Sequence, residues 1–145
     1  MTSDAYDLER FVVAQDTRGT YASAVAELRA GRKVTHWMWF VFPQIAGLGM
    51  SEMSRRYAIP SLEEARRYLA HPILGERIRE CARVLTELDG RMADDIFGSV
   101  DAMKLRSSMT LFARAAPPED PLFAEVLDRY FDGVADDATE ARLRG

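Results

Sequence analysis

A chain of 145 residues, 48% hydrophobic and 29% charged, has the length and composition of one folded domain spanning residues 1–145, which excludes a disordered segment. A formal net charge of −4 and a pI near 5.2 exclude general affinity for the nucleic-acid backbone. The single cysteine, Cys81, excludes an internal disulfide; histidines only at positions 36 and 71 match no short ligand motif, so no metal site is predicted and no cofactor is assigned.

Ser3 or Asp4 is placed to cap a first helix on which Leu8, Phe11, Val12 and Gln15 share a face. The residues before it carry no basic start and no apolar run, so nothing resembles a signal peptide and a cytoplasmic location is the simplest reading. Asp16 to Gly19 reads as a turn. Thr20 opens a second helix with Tyr21, Ala24, Val25 and Leu28 on its apolar side, and Gly31 suits its stop. The segment from His36 to Phe42 has no alternation and fits a buried strand or a short buried helix. Thr35 as a cap, Pro43 as a stop and the helical neighbours favour the helix, on which His36, Trp39 and Phe40 share a face. From Pro43 to Pro60 the chain reads as irregular, with a helical turn or two around Ser51 to Tyr57. Pro43, Gly47 and Gly49 also interrupt the longest nearly uncharged stretch, Val34 to Ser51, so it does not span a bilayer.

Ser61-Leu62-Glu63-Glu64 has the form of a capping box and opens a helix through Leu69. Pro72 fits the first turn of the next helix, where Leu74, Ile78, Cys81, Leu85 and Leu88 form an apolar stripe that Asp89-Gly90 closes. Ala93 to Phe97 is expected as a short turn of helix ended by Gly98. Ser99 is expected to cap a longer helix to about Ala115. Asp120-Pro121 starts another, ending at Gly133, and a last short helix follows Asp137. The expected fold is all-α, one bundle of about seven or eight short helices with no significant sheet.

Two segments carry groups that a core does not ordinarily need. On the helix after Ser99, Leu105, Met109 and Phe112 form one stripe while Met103 and Leu111 lie off it, the mark of a central helix. Yet the helix also holds Lys104, Arg106, Ser107, Ser108 and Thr110, with Lys104 and Ser108, and Arg106 and Thr110, each one turn apart. Cations there line a pocket for phosphate or carboxylate, or tie the bundle together through Asp101, Glu87 or Asp128. In the aromatic segment, His36 beside Trp37 and Trp39 suits a general acid or base with stacking platforms, or a satisfied core histidine; Gln44 is a candidate partner for the buried N–H groups. Cys81 lies within an apolar stripe, where an inert thiol belongs. The basic residues at Arg29, Arg32 and Lys33, at Arg55 and Arg56, and at Arg66 and Arg67 read as solvated helix faces and C-terminal dipole partners, with a local basic patch as the alternative.

Several strings are long and unusual in composition. They include Leu8 to Gln15, Gly31 to Gln44, Gly47-Leu48-Gly49, Tyr57-Ala58-Ile59, Ala70 to Gly75, Ile96-Phe97-Gly98 and Lys104 to Phe112. Through them nearly the whole chain resembles the bacterial family catalogued as domain of unknown function 1810. That resemblance implies a small, mainly helical domain and no transferable activity. On the residues, the favoured reading is a protein or enzyme that binds a small polar ligand carrying phosphate or carboxylate, nucleotide-like in general terms. Lys104 and Arg106 hold the anion, Ser107, Ser108 and Thr110 orient it, Trp37 or Trp39 stacks, and His36 acts as the catalytic acid or base. The alternative is a non-catalytic protein–protein interaction module presenting the Pro43–Pro60 loop with Trp37, Leu48 and Met50.

Overall fold

A computed structural model describes the chain from Tyr6 to Arg144; the Ser3 and Asp4 caps expected for the first helix lie outside these residues. The opening segments follow the sequence closely. Helix α1 (Glu9–Asp16) ends in a turn of 3-10 helix at Thr17–Gly19, and α2 (Thr20–Arg29) begins directly after it. Gly19 takes φ 67°, the left-handed geometry that makes the two helices separate elements rather than one. Phe11, Val12 and Gln15 face inward from α1, and Ala24, Val25 and Leu28 from α2.

The aromatic segment departs from expectation. Only Met38–Val41 is helical, forming the single turn α3. Thr35 does not cap it, because its N–H and hydroxyl both bond the Glu27 carboxylate, at 2.9 and 2.6 Å. The chain is therefore tied to α2 until Trp37, and His36 lies before the helix instead of sharing a face with Trp39 and Phe40. A second short helix, α4 (Glu52–Arg56), is capped by Ser51, whose hydroxyl accepts the Ser54 N–H at 3.1 Å. Among the described residues the only strand-like pairing is one parallel bridge between Ile45 and Ile59. It closes the intervening loop back on itself.

The larger half is helix packed on helix. Ser61 caps α5 (Leu62–Ala70) as the sequence predicts, accepting the Glu64 N–H at 3.2 Å. His71 Nδ1 accepts the N–H groups of Ile73 and Leu74, at 3.1 and 3.2 Å, and so satisfies donors at the start of α6 (Leu74–Glu87). Gly75 is required there: a Cβ would stand 2.1 Å from the Leu69 carbonyl oxygen. The final elements are α7 (Ala93–Ala115), α8 (Leu122–Phe131) and α9 (Asp137–Arg144). Gly98 (φ 78°) breaks α7 into two helical runs, as its place in the sequence suggests, and the Ser99 side chain makes no capping bond among the described residues at the start of the second. Asp95 supplies the start of the first, accepting the Met92 N–H at 2.9 Å.

Helix α7 is central, packed against α5, α8 and α9, while α6 meets α2, α5 and α8. Its buried residues include Leu105, Met109, Leu111 and Phe112, so more than one side is covered. Phe112 lies 5.2 Å from the Tyr68 ring and 5.8 Å from that of Phe123, joining α5, α7 and α8. Fully burying each such side chain contributes roughly 1.5–3 kcal/mol. The architecture is an all-α bundle. No helix among the described residues is long and apolar enough to cross a membrane.

Candidate functional site

Three polar side chains on the first two helices hold the irregular segment in place. Glu27 accepts from the N–H groups of Val34 and Thr35, the Thr35 hydroxyl and the Trp37 indole, the last at 3.0 Å. Burial raises its carboxyl pKa, but the bonds from Thr35, Val34 and Trp37 outweigh that and bring it down to about 2. Gln15, itself buried, donates to the Phe40 carbonyl at 2.8 Å and to the Tyr68 hydroxyl, and accepts from Arg77. Arg10 donates to the carbonyls of Tyr6, Asp7, Arg56 and Ala58 and pairs with the buried Glu64 at 3.3 Å. Together they fix α3 and the 56–58 stretch relative to the bundle.

Between those two stretches lies a cleft of about 420 Å³. Its walls come from Met38, Trp39 and Phe42 around α3, from the loop through Gln44, Gly47, Gly49 and Met50, and from Ser54, Arg55 and Tyr57. Lys104 of α7 completes it. A Cβ at Gly49 would stand 2.5 Å from Ser54 Cβ, so only glycine lets the loop close against α4. The Lys104 ammonium sits 5.1 Å from the centre of the Trp39 ring and 3.6 Å from Asp101. Asp101 is shared, however, with Lys33, which is closer at 2.9 Å and only 9% exposed. One carboxylate thus faces two lysines, and the better-placed pair leaves net positive charge at Lys104. Arg55 and the Gln44 amide have no side-chain partner among the described residues, and the wall includes no Asp or Glu. In a chain of net charge −4 that is a local inversion of sign.

A family model described as "Protein of unknown function (DUF1810)" matches residues 5–143. The chain belongs to this family. It is also similar to a solved structure, the conserved hypothetical protein Rv1873 from Mycobacterium tuberculosis. The two share 51% identity over 98% of this chain and 99% of the other, with a TM-score of 0.93. No functionally curated protein matches the chain.

The strings by which the sequence resembles DUF1810 fall partly on the cleft and partly on its supports. Of the nine residues singled out from sequence, Trp39, Gln44 and Lys104 meet at the cleft. The other six do not line it. His36 is exposed on the approach to α3. Trp37 is fully buried, with Glu27 and not Gln44 as its hydrogen-bond partner. Arg106 donates to the carbonyls of Val134 and Ala135, at 2.8 and 3.2 Å, and so secures the α8–α9 connection. Thr110 joins the same region: its hydroxyl donates to the Arg106 carbonyl and accepts the Asp136 N–H at 2.9 Å. Ser107 donates to the Met103 carbonyl within α7. Ser108 is fully buried and its hydroxyl has no partner among the described residues. Cys81 is sealed in the core, where burial pushes its thiol up to about 12 and keeps it protonated at neutral pH.

Sequence reasoning missed Arg55, Ser54 and Tyr57 as cleft residues. A signal was present: the DUF1810 strings Gly47-Leu48-Gly49 and Tyr57-Ala58-Ile59 bracket Ser54 and Arg55, and the second begins with Tyr57 itself. Reading Arg55 as part of a solvated helix face hid it. That reading is correct for its exposure and incomplete for its position.

Proposed function

We propose that the cleft between α3, the Gln44–Met50 loop and α4 binds a small polar ligand that carries an anionic group and a planar part. The observation that supports this most is the meeting of Trp39, Gln44 and Lys104, from distant parts of the chain, around an open cavity with two cations and no carboxylate in its wall. Lys104 attracts the anion, Gln44 offers both a donor and an acceptor, and the half-buried Trp39 indole supplies an apolar plane. With His36 outside the wall, the reading is of binding and assigns no catalytic group. Thermal shift against a panel of nucleotides, sugar phosphates and aromatic carboxylates tests it. A compound present at 100 times its Kd should add about 2.7 kcal/mol of stability, and Lys104→Met should abolish that gain without unfolding the protein. A panel with no response, or responses that persist in Lys104→Met, would refute the proposal.

Val100 and Met103, one turn apart on α7 and 66% and 70% exposed, favour a second reading, a module that docks another protein. Under that reading Val100→Asp weakens partner capture while every ligand response in the cleft persists.

A further inference from the structure

We infer that the anionic group of the ligand is phosphoryl, seated at the Gly47 end of the cleft between Arg55 of α4 and Arg142 of α9. This rests on the cleft reading above and decides between the two anions it leaves open. Arg142 donates to the Gly47 carbonyl at 3.2 Å, and its guanidinium carbon stands 2.5 Å from where a Cβ on Gly47 would be. The guanidinium therefore lies directly against backbone that forms the cleft wall. Gly47 makes this approach possible twice over, by having no side chain and by taking φ 97°.

Charge then selects the ligand. Arg77, Arg79, Arg114 and Arg129 each pair with a carboxylate. Arg55 and Arg142 pair with none among the described residues; the same holds of Arg32, Arg66 and Arg83 on other faces, and it is their place at the cavity that sets these two apart. With the excess charge at Lys104, three cations from three helices face or border one cavity. A carboxylate brings a single negative charge, which Lys104 alone balances. A phosphate monoester brings about −1.5 to −2 at neutral pH and three acceptor oxygens, which suits two planar guanidinium forks beside an ammonium. The N–H groups of Gly47, Gly49 and Met50, on the loop that lines the cavity, take no intramolecular acceptor among the described residues.

Titration of the full chain with inorganic phosphate and with acetate, at equal ionic strength and followed by amide NMR, tests the assignment. Phosphate is expected to shift the Gly47 and Gly49 amides and the Arg55 side chain saturably, with acetate about 10-fold weaker. Arg55→Met and Arg142→Met should each weaken phosphate about 10-fold with the remaining spectrum unchanged, and Arg142→Lys should restore only part of the loss. Equal responses to both anions, or phosphate titrations untouched by either methionine variant, overturn the phosphoryl seat. If panel compounds still bind in a Lys104-dependent way under that result, the cleft reading survives without it. Silence from the panel and from phosphate removes both.

Discussion

The α5–α8 bundle and the segment from Val34 to Ile59 share one hydrophobic core, but the segment has little regular structure and relies in addition on side-chain hydrogen bonds to its backbone. That difference bears on where a ligand site has room to exist. In the bundle, apolar stripes interlock: Leu74, Ile78, Cys81 and Leu85 of α6 and Leu105, Met109 and Phe112 of α7 are all sealed from water. Hydrophobic burial has no preferred direction and closes every gap it can. The Val34–Ile59 segment contains only two single-turn helices and one bridge. Trp37, Phe42 and Ile59 anchor it in the core, and Glu27, Gln15 and Arg10 add hydrogen bonds that fix backbone atoms at chosen places beside the cleft. Around the cleft, directional contacts thus supplement packing in holding the walls apart.

Two substitutions break the comparison from opposite sides. Phe112→Ala opens a void among Tyr68, Phe123 and α7, and is expected to cost about 3–5 kcal/mol. Urea unfolding should register that loss by every probe at once, because α5, α7 and α8 lose a shared contact. Glu27→Gln removes the charge from an acceptor of four bonds, for an expected loss of about 1–3 kcal/mol. Here hydrogen exchange should accelerate over residues 34–42 while α6 and α7 keep their protection. The same carboxylate sets a pH window. Its pKa is depressed in the folded state to about 2 from 4.5. Its contribution is therefore complete above pH 4.5 and is lost as pH falls through 2. Wild-type Tm should decline across that window more steeply than that of Glu27→Gln. Parallel declines would show that Glu27 is not the group that holds the segment.

The bundle was legible in sequence because its cause is periodic. Ser61 caps, the Leu74–Leu85 stripe and the Gly98 break each depend on residues within a few positions of one another, and all three stand where the pattern puts them. The cleft was half legible. Trp39, Gln44 and Lys104 stood out as residue types without a structural need. No spacing rule, however, brings position 104 beside position 39; the packing of α7 decides it. Thr35 failed as a cap for a related reason. Its local propensity was sound, but a carboxylate eight positions earlier took both its N–H and its hydroxyl. Arg106 and Thr110 looked like ligands because their real partners, the carbonyls and N–H of the α8–α9 connection, carry no signature in the side-chain sequence.

Arg106 and Lys104 make the finest test, being two positions apart on α7 and assigned opposite roles. Arg106→Met deletes two bonds to backbone carbonyls that no other described side chain satisfies, and its guanidinium also covers the Phe131 ring at 6.0 Å. A loss of about 1–2 kcal/mol is expected, with faster exchange at Val134 to Asp136 and no change in any ligand response. Lys104→Met leaves Asp101 still paired with Lys33 and swaps an ammonium for an apolar group beside Trp39. Stability should move by no more than about 0.5 kcal/mol in either direction, because a partly exposed pair contributes little. The two variants thus separate completely on two axes, stability for one and ligand response for the other. If Arg106→Met abolished ligand response at unchanged stability, the boundary drawn here between cleft and scaffold would have to move to include the α8–α9 connection.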